Sequence, residues 1–200
     1  MAGSKTDPPY GYVARMPLQW KIVVFVLASA GFAWFTRKSL RDVRCHGFYR
    51  FFAWLAILGL ILLNLESWFE NPFSMSQLIS WFLLTVALVL ALHGTVLLYR
   101  IGQPSRERRD PSLVGIEKTT RLVTAGIYRY IRHPQYCSLL LLTWGVFLKN
   151  PSLITTGLAA VATCFLVVTA KVEETENVSY FGAAYKQYVR QTKMFIPYLI

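Results

Sequence analysis

The sequence predicts an all-α integral membrane protein with about five transmembrane helices, of which the fourth is short, and a cytoplasmic amphipathic helix near the C-terminus. Three observations lead to this prediction. Hydrophobic residues make up 54% of the 200-residue chain and charged residues only 16%, below the roughly 25% that is usual for soluble domains. The hydrophobic residues are grouped in five runs. The basic residues fall mainly in clusters between these runs.

Four of the runs carry almost no charge and are typical of transmembrane helices, namely residues 18–35, 51–65, 78–99 and 153–170. The second run is short, and Trp68 and Phe69 are expected to extend it to an aromatic edge at the membrane surface. Residues 133–148 give only 16 positions without a formal charge. They would form about 24 Å of helix, less than the roughly 30 Å hydrocarbon core. We therefore expect a short fourth helix, paired in a hairpin with the fifth through the turn residues Asn150 and Pro151.

The lysines and arginines are divided unequally by these spans. Seventeen of the 21 lie in the first loop, the third loop and the C-terminal tail, which five spans place on the same side. Because cytoplasmic segments are enriched in these residues, we expect an external N-terminus and a cytoplasmic C-terminus. The chain divides into a flexible N-terminal segment (1–17), three transmembrane helices (18–99) and a C-terminal region (100–200) that carries the candidate site on the cytoplasmic side.

The composition also argues against two other classes of protein. A net charge of +11 would suit a nucleic-acid-binding protein. Basic clusters between apolar runs, however, fit membrane orientation and contact with anionic lipid headgroups better, so we expect no nucleic-acid partner. The three histidines, His46, His93 and His133, are widely separated and the three cysteines lack metal-ligand spacing. No metal or haem site is therefore expected.

The stretch "YRYIRHPQYCS" (128–138) directly precedes the fourth apolar run. Pro134 suits the first position of a helix, where its missing N–H is not needed, and it restricts His133 to an extended conformation. Arg132 and His133 would then lie beside a helix N-terminus, whose free N–H groups favour an anionic ligand. Three tyrosines of the stretch are either interfacial anchors or the aromatic faces and hydroxyls of a site. They are Tyr128, Tyr130 and Tyr136.

Two acidic residues, Glu173 and Glu174, lie within one helical turn of the end of the fifth run. Carboxylates at this depth are costly unless they are paired or face a water-filled cavity. They either pair with Lys171 or loop arginines at the surface, or they form a wall of a site opposite the basic loop. A zwitterionic ligand with an aromatic ring would suit such a site, with its ammonium on the glutamate side.

The C-terminal tail has aromatic residues at roughly helical spacing. This spacing predicts an amphipathic helix that lies on the membrane or covers the basic loop. The residues are Tyr185, Tyr188, Phe195 and Tyr198.

Three segments considered together have the spacing of a known superfamily. "LVTAGIYRYIRHPQY", then "VEE", then "YFGAAYKQYVRQTKMFIPYL" resemble the isoprenylcysteine carboxyl methyltransferase and phospholipid methyltransferase superfamily over roughly residues 122–199. The resemblance implies a five-helix membrane enzyme with a cytoplasmic-side pocket for S-adenosylmethionine. It also implies methyl transfer to a lipophilic or membrane-associated acceptor, at a carboxylate, an amine or a thiol. Membrane lipids are the expected partners.

The resemblance also implies roles for individual residues. The cofactor-binding residues are Tyr128, His133, Pro134, Tyr136, Glu173 and Glu174, the catalytic residues are Arg132 and Glu174, and Tyr185 and Tyr188 cover the pocket or contact the substrate. Ser138 stands where the superfamily often has glycine, and "NVSY" is less acidic than the matching segment of many relatives. The alternative is a non-catalytic structural or interaction protein on the same scaffold, which binding of S-adenosylhomocysteine would distinguish.

Overall fold

Six α-helices make up most of the structure, a computed structural model that describes residues 16–105 and 118–197. In chain order they are α1 (Leu18–Thr36), α2 (His46–Leu63), α3 (Met75–Arg100), α4 (Pro134–Phe147), α5 (Leu153–Phe181) and α6 (Ala183–Gln191). Helices α1, α2, α3 and α5 are long and apolar enough to cross a bilayer, whereas α4 has only 14 residues. The predicted all-α class is therefore confirmed for the described residues. The predicted N-terminal segment, 1–17, lies almost entirely outside them.

Helix α2 ends earlier than the sequence predicts. It begins five residues before the apolar run but stops at Leu63. The buried Asn64 takes the C-cap position, and its side-chain Nδ2 donates a hydrogen bond to the Val146 carbonyl oxygen at 2.8 Å. A short 3-10 turn follows. The prediction that Trp68 and Phe69 extend the second span is therefore wrong, because a tertiary hydrogen bond ends the helix first.

Helix α5 continues beyond the apolar run that predicted it. The run ends at residue 170, but the helix continues to Phe181, since the intervening residues include no proline or glycine. Glu173 and Glu174 are consequently part of the same helix as the apolar residues. Their positions are fixed by the packing of α5 rather than by a loop.

Helices α2 and α5 pack closely at the centre of the bundle because their facing side chains are small. Small residues allow close van der Waals contact between membrane helices. The buried alanines at this contact are Ala53 and Ala56 of α2 and Ala162 and Ala170 of α5. Helix α1 packs on α2 and leaves most of its apolar side chains exposed, as expected for a surface that faces lipid.

Helix α4 packs along α3, and its helical length is less than the thickness of the hydrocarbon core. A Cβ added at Gly145 would lie 3.0 Å from the Leu84 side chain, so glycine permits this close contact. Fourteen helical residues rise about 21 Å, less than the roughly 30 Å of hydrocarbon. The last backbone carbonyls of α4 therefore need hydrogen-bond partners within the protein.

Two buried side chains supply such partners to the end of α4. Ser80 Oγ donates to the Gly145 carbonyl oxygen at 2.6 Å, and Asn64 Nδ2 donates to the Val146 carbonyl oxygen. The Ser80 bond gives the Gly145 carbonyl a partner, and the Asn64 bond adds a second one to the Val146 carbonyl, which also accepts from the Lys149 N–H at 3.1 Å. Polar residues in otherwise apolar segments thus explain how a short helix can end inside the bundle.

Lys149, which directly follows α4, is buried among aromatic and polar groups. Its ammonium donates to Gln77 Oε1 at 2.8 Å and lies 3.5 Å from the ring centroid of Trp81. Gln77 Nε2 donates in turn to the Lys149 carbonyl oxygen at 3.3 Å. Burial lowers the pKa of Lys149 below the ordinary lysine value. Lys149 is only 5% exposed, and the cation–π contact and the Gln77 amide together compensate the cost of burying its charge.

Replacing Gln77 with leucine is expected to destabilise the protein by about 1.5–3 kcal/mol, the typical value of a hydrogen bond to a charged group. The change leaves the buried Lys149 ammonium without its amide acceptor. Denaturant unfolding in detergent micelles measures the loss. The matched control is Gln19→Leu on the exposed start of α1, which should unfold like the wild type. Equal stability of both variants would contradict the assigned role of Gln77.

Candidate active site

Residues from two distant parts of the sequence meet in one cavity, here called the inner cavity, near the start of α4. Its volume is about 80 Å³. The lining residues are Leu98, Thr119, Leu122, Val123, Tyr128, Arg132, His133, Pro134, Gln135, Tyr136, Glu173, Asn177, Phe181, Tyr185 and Tyr188. Eight of the nine residues predicted for the site are among them. The ninth, Glu174, lies behind the wall and contacts two lining residues.

The loop that carries the arginine and histidine begins with a turn that requires glycine. Gly126 has a φ of +60°, and a Cβ at this position would lie 2.7 Å from the Leu97 side chain and 3.0 Å from His93 Nε2. Side chains larger than hydrogen are disfavoured in that conformation. The turn therefore brings the loop close against α3 before it reaches the site.

The chain then becomes extended and pairs with the C-terminal segment, residues 192–197. The Arg132 N–H donates to the Lys193 carbonyl oxygen at 2.8 Å, and the His133 N–H donates to the Met194 carbonyl oxygen at 3.1 Å. Pro134 follows as the first residue of α4. The prediction of proline at the helix start is confirmed. His133, with φ −122° and ψ 60°, avoids the helical region that a following proline disfavours, but it does not reach the extended conformation that the sequence predicted.

His133 lies between the two glutamates. Its Nε2 is 3.3 Å from Glu174 Oε1, and its Nδ1 is 3.9 Å from Glu173 Oε2. The imidazole is buried and stacks on the Tyr136 ring, with centroids 5.5 Å apart. The Tyr136 hydroxyl donates to Glu173 Oε2 at 2.5 Å. Glu173 is thus the carboxylate that faces the inner cavity.

Arg132 connects the loop, α5 and the C-terminal segment. Its Nε donates to Glu174 Oε1 at 2.5 Å, and the two side chains are only 8% and 18% exposed. Its Nη1 donates to the carbonyl oxygens of Val189 and Thr192. Three of its hydrogen bonds are therefore made to the protein, although the sequence suggested that it faces an anionic ligand. In this arrangement Arg132 and Glu174 hold the wall of the cavity together.

Helix α6 covers the inner cavity with two buried tyrosines, Tyr185 and Tyr188. The spacing of aromatic residues predicted a longer helix that includes Phe195, and this is wrong. The helix stops at Gln191 because the following residues are extended and pair with the loop. Phe195 is nevertheless buried, against the central core. Tyr198 lies outside the described residues.

Both tyrosines of α6 are held in the protonated form. Burial raises the pKa of Tyr185, and the carboxylates of Glu173 and Glu174 raise it further. Burial likewise raises the pKa of Tyr188. Neither hydroxyl therefore provides a base at neutral pH, and both can act only as hydrogen-bond donors or acceptors.

Stability is expected to fall as the pH rises above about 10, the ordinary pKa of tyrosine. The folded pKa values are raised, so the native state keeps these protons longer than the unfolded state does. The resulting stabilisation is present below about pH 10 and is lost as the pH rises through the folded pKa. Thermal unfolding measured from about pH 10 upwards gives the loss of stability per pH unit. Tyr185→Phe should reduce this loss, and Tyr180→Phe, at an exposed tyrosine, should not. A wild-type loss for Tyr185→Phe would rule out its contribution.

A further contact between a histidine and a carboxylate of α5 is made by His46 and Glu176. Glu176 accepts a hydrogen bond from the His46 N–H at 2.9 Å and lies 2.6 Å from His46 Nδ1. His46 is completely buried at the first position of α2, where a carboxylate is favoured by the helix dipole. This contact fixes the polar end of α5 against α2.

The sequence did not indicate several residues of the inner cavity. Asn177 follows Glu173 by one helical turn, so helical periodicity on α5 could have identified it. Gln135 stands inside the predicted motif, and its Nε2 donates to Thr95 Oγ1 at 2.9 Å. Nothing in the sequence around Leu98 of α3 indicates that this residue belongs to the site. Only the packing of α3 on α4 brings it to the site.

Comparisons with known proteins indicate the family of the chain. A model of the phospholipid methyltransferase family matches residues 83–184. The chain is 33% identical to methanethiol S-methyltransferase 1 of Bradyrhizobium diazoefficiens over 90 residues, 43% of this chain and 30% of that protein. It is 29% identical to the probable protein-S-isoprenylcysteine O-methyltransferase of Oryza sativa subsp. japonica over 123 residues, 60% of this chain and 63% of that protein. These alignments span less than two thirds of each relative.

The family match contains most of the site. It includes the arginine–histidine–proline loop, α4 and both adjacent glutamates, and it ends just before Tyr185. It covers slightly more than half of the 200 residues. The resemblance seen in the sequence is confirmed, and the chain belongs to the phospholipid methyltransferase family of membrane methyltransferases.

Proposed function

We propose that this protein transfers a methyl group from S-adenosylmethionine to a lipophilic or membrane-associated acceptor. The observation that carries the proposal is the position of Glu173, a carboxylate that lines a cavity together with aromatic and amide side chains. A cofactor with an ammonium group and an aromatic base matches these groups. When bound, it supplies an electrophilic methyl group on a sulfonium.

The residues of the inner cavity have separate tasks in this proposal. Glu173 pairs with the cofactor's ammonium, and Tyr136 orients that carboxylate through its 2.5 Å hydrogen bond. The amides of Gln135 and Asn177 also line the cavity; the Gln135 Nε2 is bonded to Thr95, which leaves its amide oxygen to accept a hydrogen bond from the cofactor. Arg132 and Glu174 act as a pair that positions the loop. Tyr128, His133 and Pro134 form the wall beside them.

Alignment of the two reactants is the main requirement of the chemistry. Holding reacting atoms about 3–3.5 Å apart and in line supplies roughly 7–11 kcal/mol of the barrier. An acceptor carboxylate is already ionised, whereas an amine or a thiol must lose a proton. Because both tyrosines of α6 stay protonated, that proton would pass to His133 or to one of the glutamates. The short α4 would leave space for the tail of a lipid acceptor to remain in the bilayer.

The proposed topology places the site on the cytoplasmic side. Four long helices and the short α4 then make five passages, with the N-terminus outside and the C-terminus in the cytoplasm. The excess of lysine and arginine in the segments assigned to that side supports this orientation. A reporter enzyme fused to the C-terminus should be active only if its environment is cytoplasmic. A non-cytoplasmic reading would reverse the orientation.

Methyl transfer is tested with membranes that contain the full chain and S-adenosylmethionine carrying a radiolabelled methyl group. Label should enter a membrane lipid, a lipid-modified protein or a volatile thioether, and the labelled fraction identifies the acceptor class. Membranes with the Glu173→Gln variant are the control for background transfer. If wild-type and variant membranes incorporate the same label and the purified protein does not bind S-adenosylhomocysteine, the proposal is wrong.

A further inference from the structure

A second cavity, here called the outer cavity, adjoins the inner cavity and opens to the surface. Its volume is about 410 Å³. Its lining residues are Leu122, Thr124, Arg129, Ala184, Gln187, Tyr188, Gln191 and Thr192. Leu122 and Tyr188 line both cavities. These two side chains therefore form the partition between them.

The inner cavity alone is too small for an adenosyl cofactor. Sites for ligands of drug-like size usually have about 300–1,000 Å³, whereas the inner cavity has about 80 Å³. The outer cavity falls within that range. An adenosyl ligand that contacts Glu173 therefore needs additional space, and the adjoining outer cavity provides it if the side chains of the partition move.

Tyr188 is held in the partition by one hydrogen bond of its hydroxyl. The hydroxyl donates to the Tyr128 carbonyl oxygen at 2.6 Å, and the ring is 6% exposed. Tyr188 lies on α6, a nine-residue helix, and its neighbour Ala184 on the same helix is exposed in the outer cavity. A change in the rotamer of Tyr188 would join the two cavities without moving α4 or α5.

We propose that the bound cofactor spans both cavities and that Tyr188 must leave its bond to Tyr128 before the cofactor can bind. This inference rests on the proposed function. The inner cavity takes the charged amino-acid part beside Glu173. The outer cavity takes the neutral nucleoside part, for which the amides of Gln187 and Gln191 and the Thr124 hydroxyl are suitable hydrogen-bond partners.

The inference is tested by equilibrium binding of tritiated S-adenosylhomocysteine to the purified full-length protein. Tyr188→Phe keeps the ring but removes the bond that closes the partition. It should bind about fivefold more tightly, because one net hydrogen bond no longer opposes opening. Ala184→Trp fills the outer cavity from an exposed position and should weaken binding. Tyr180→Phe, at an exposed tyrosine that lines neither cavity, should bind like the wild type.

Each result decides a separate point. Wild-type affinity in Ala184→Trp would show that the ligand does not occupy the outer cavity, and it would overturn the inference even if Tyr188→Phe failed to fold. Equal or weaker binding by a folded Tyr188→Phe would overturn the role of the partition. If the wild-type protein bound no S-adenosylhomocysteine, the proposed function itself would fail.

Discussion

Replacing Arg132 with alanine is expected to abolish methyl transfer while the protein still inserts into the membrane. The change removes the arginine partner of the Glu174 carboxylate, which keeps only His133, and frees two carbonyl oxygens of α6 and the C-terminal segment. Loss of one member of a fully buried ion pair costs about 3–5 kcal/mol, and we expect a smaller cost here because this pair is partly buried. Glu174→Gln should have the same effect. Incorporation of labelled methyl groups measures activity, and membrane extraction measures insertion.

The matched control is Arg121→Ala, which removes an exposed arginine of the same loop and should keep wild-type activity. In denaturant unfolding, the double variant Arg132→Ala/Glu174→Gln should lose no more stability than the less stable single variant, because both changes remove the same contact. Activity in both single variants would show that the pair does not hold the site. Additive losses of stability would indicate that the two residues act separately.

Replacing Glu173 with glutamine is expected to weaken S-adenosylhomocysteine binding about 10- to 100-fold, since a charge-assisted hydrogen bond contributes about 1.5–3 kcal/mol. The substitution preserves the size of the side chain and removes the charge that we assign to the cofactor's ammonium. Filter binding or calorimetry with purified protein measures the affinity.

The Tyr136→Phe variant separates the effect of the Glu173 charge on binding from the effect of its orientation. It removes the 2.5 Å hydrogen bond to the carboxylate and leaves the charge in place. We expect a smaller loss of affinity, about two- to tenfold, because the charge of Glu173 stays in place and only its orientation is lost. Wild-type affinity in Glu173→Gln would mean that the ammonium binds elsewhere.

The predictions made from the sequence succeeded where local chemistry decides the structure. Pro134 set the start of α4, and its steric effect on His133 keeps that residue out of the helical region. The lengths of the apolar runs indicated the long helices and the short α4. These features depend on neighbouring residues alone, so no knowledge of the packing was needed.

The predictions were wrong or incomplete where contacts between distant residues determine the structure. The end of α2 is set by a hydrogen bond between Asn64 and a residue 82 positions away. The end of α6 is set by pairing of Lys193 with the loop near Ile131. The aromatic spacing continues beyond Gln191. There, however, the backbone N–H and C=O groups form hydrogen bonds with the loop rather than within a helix. Periodicity within one segment contains no information about such partners.

By itself, the sequence determined that this is an all-α membrane protein with a short fourth helix and that a basic loop and two glutamates form a candidate site. Only the tertiary structure decided which carboxylate faces the cavity. Glu173 and Glu174 are adjacent in sequence, but side chains of neighbouring helical residues point about 100° apart. One therefore reaches the cavity and the other reaches Arg132. That choice depends on how α5 is rotated against the loop, and only long-range packing sets the rotation.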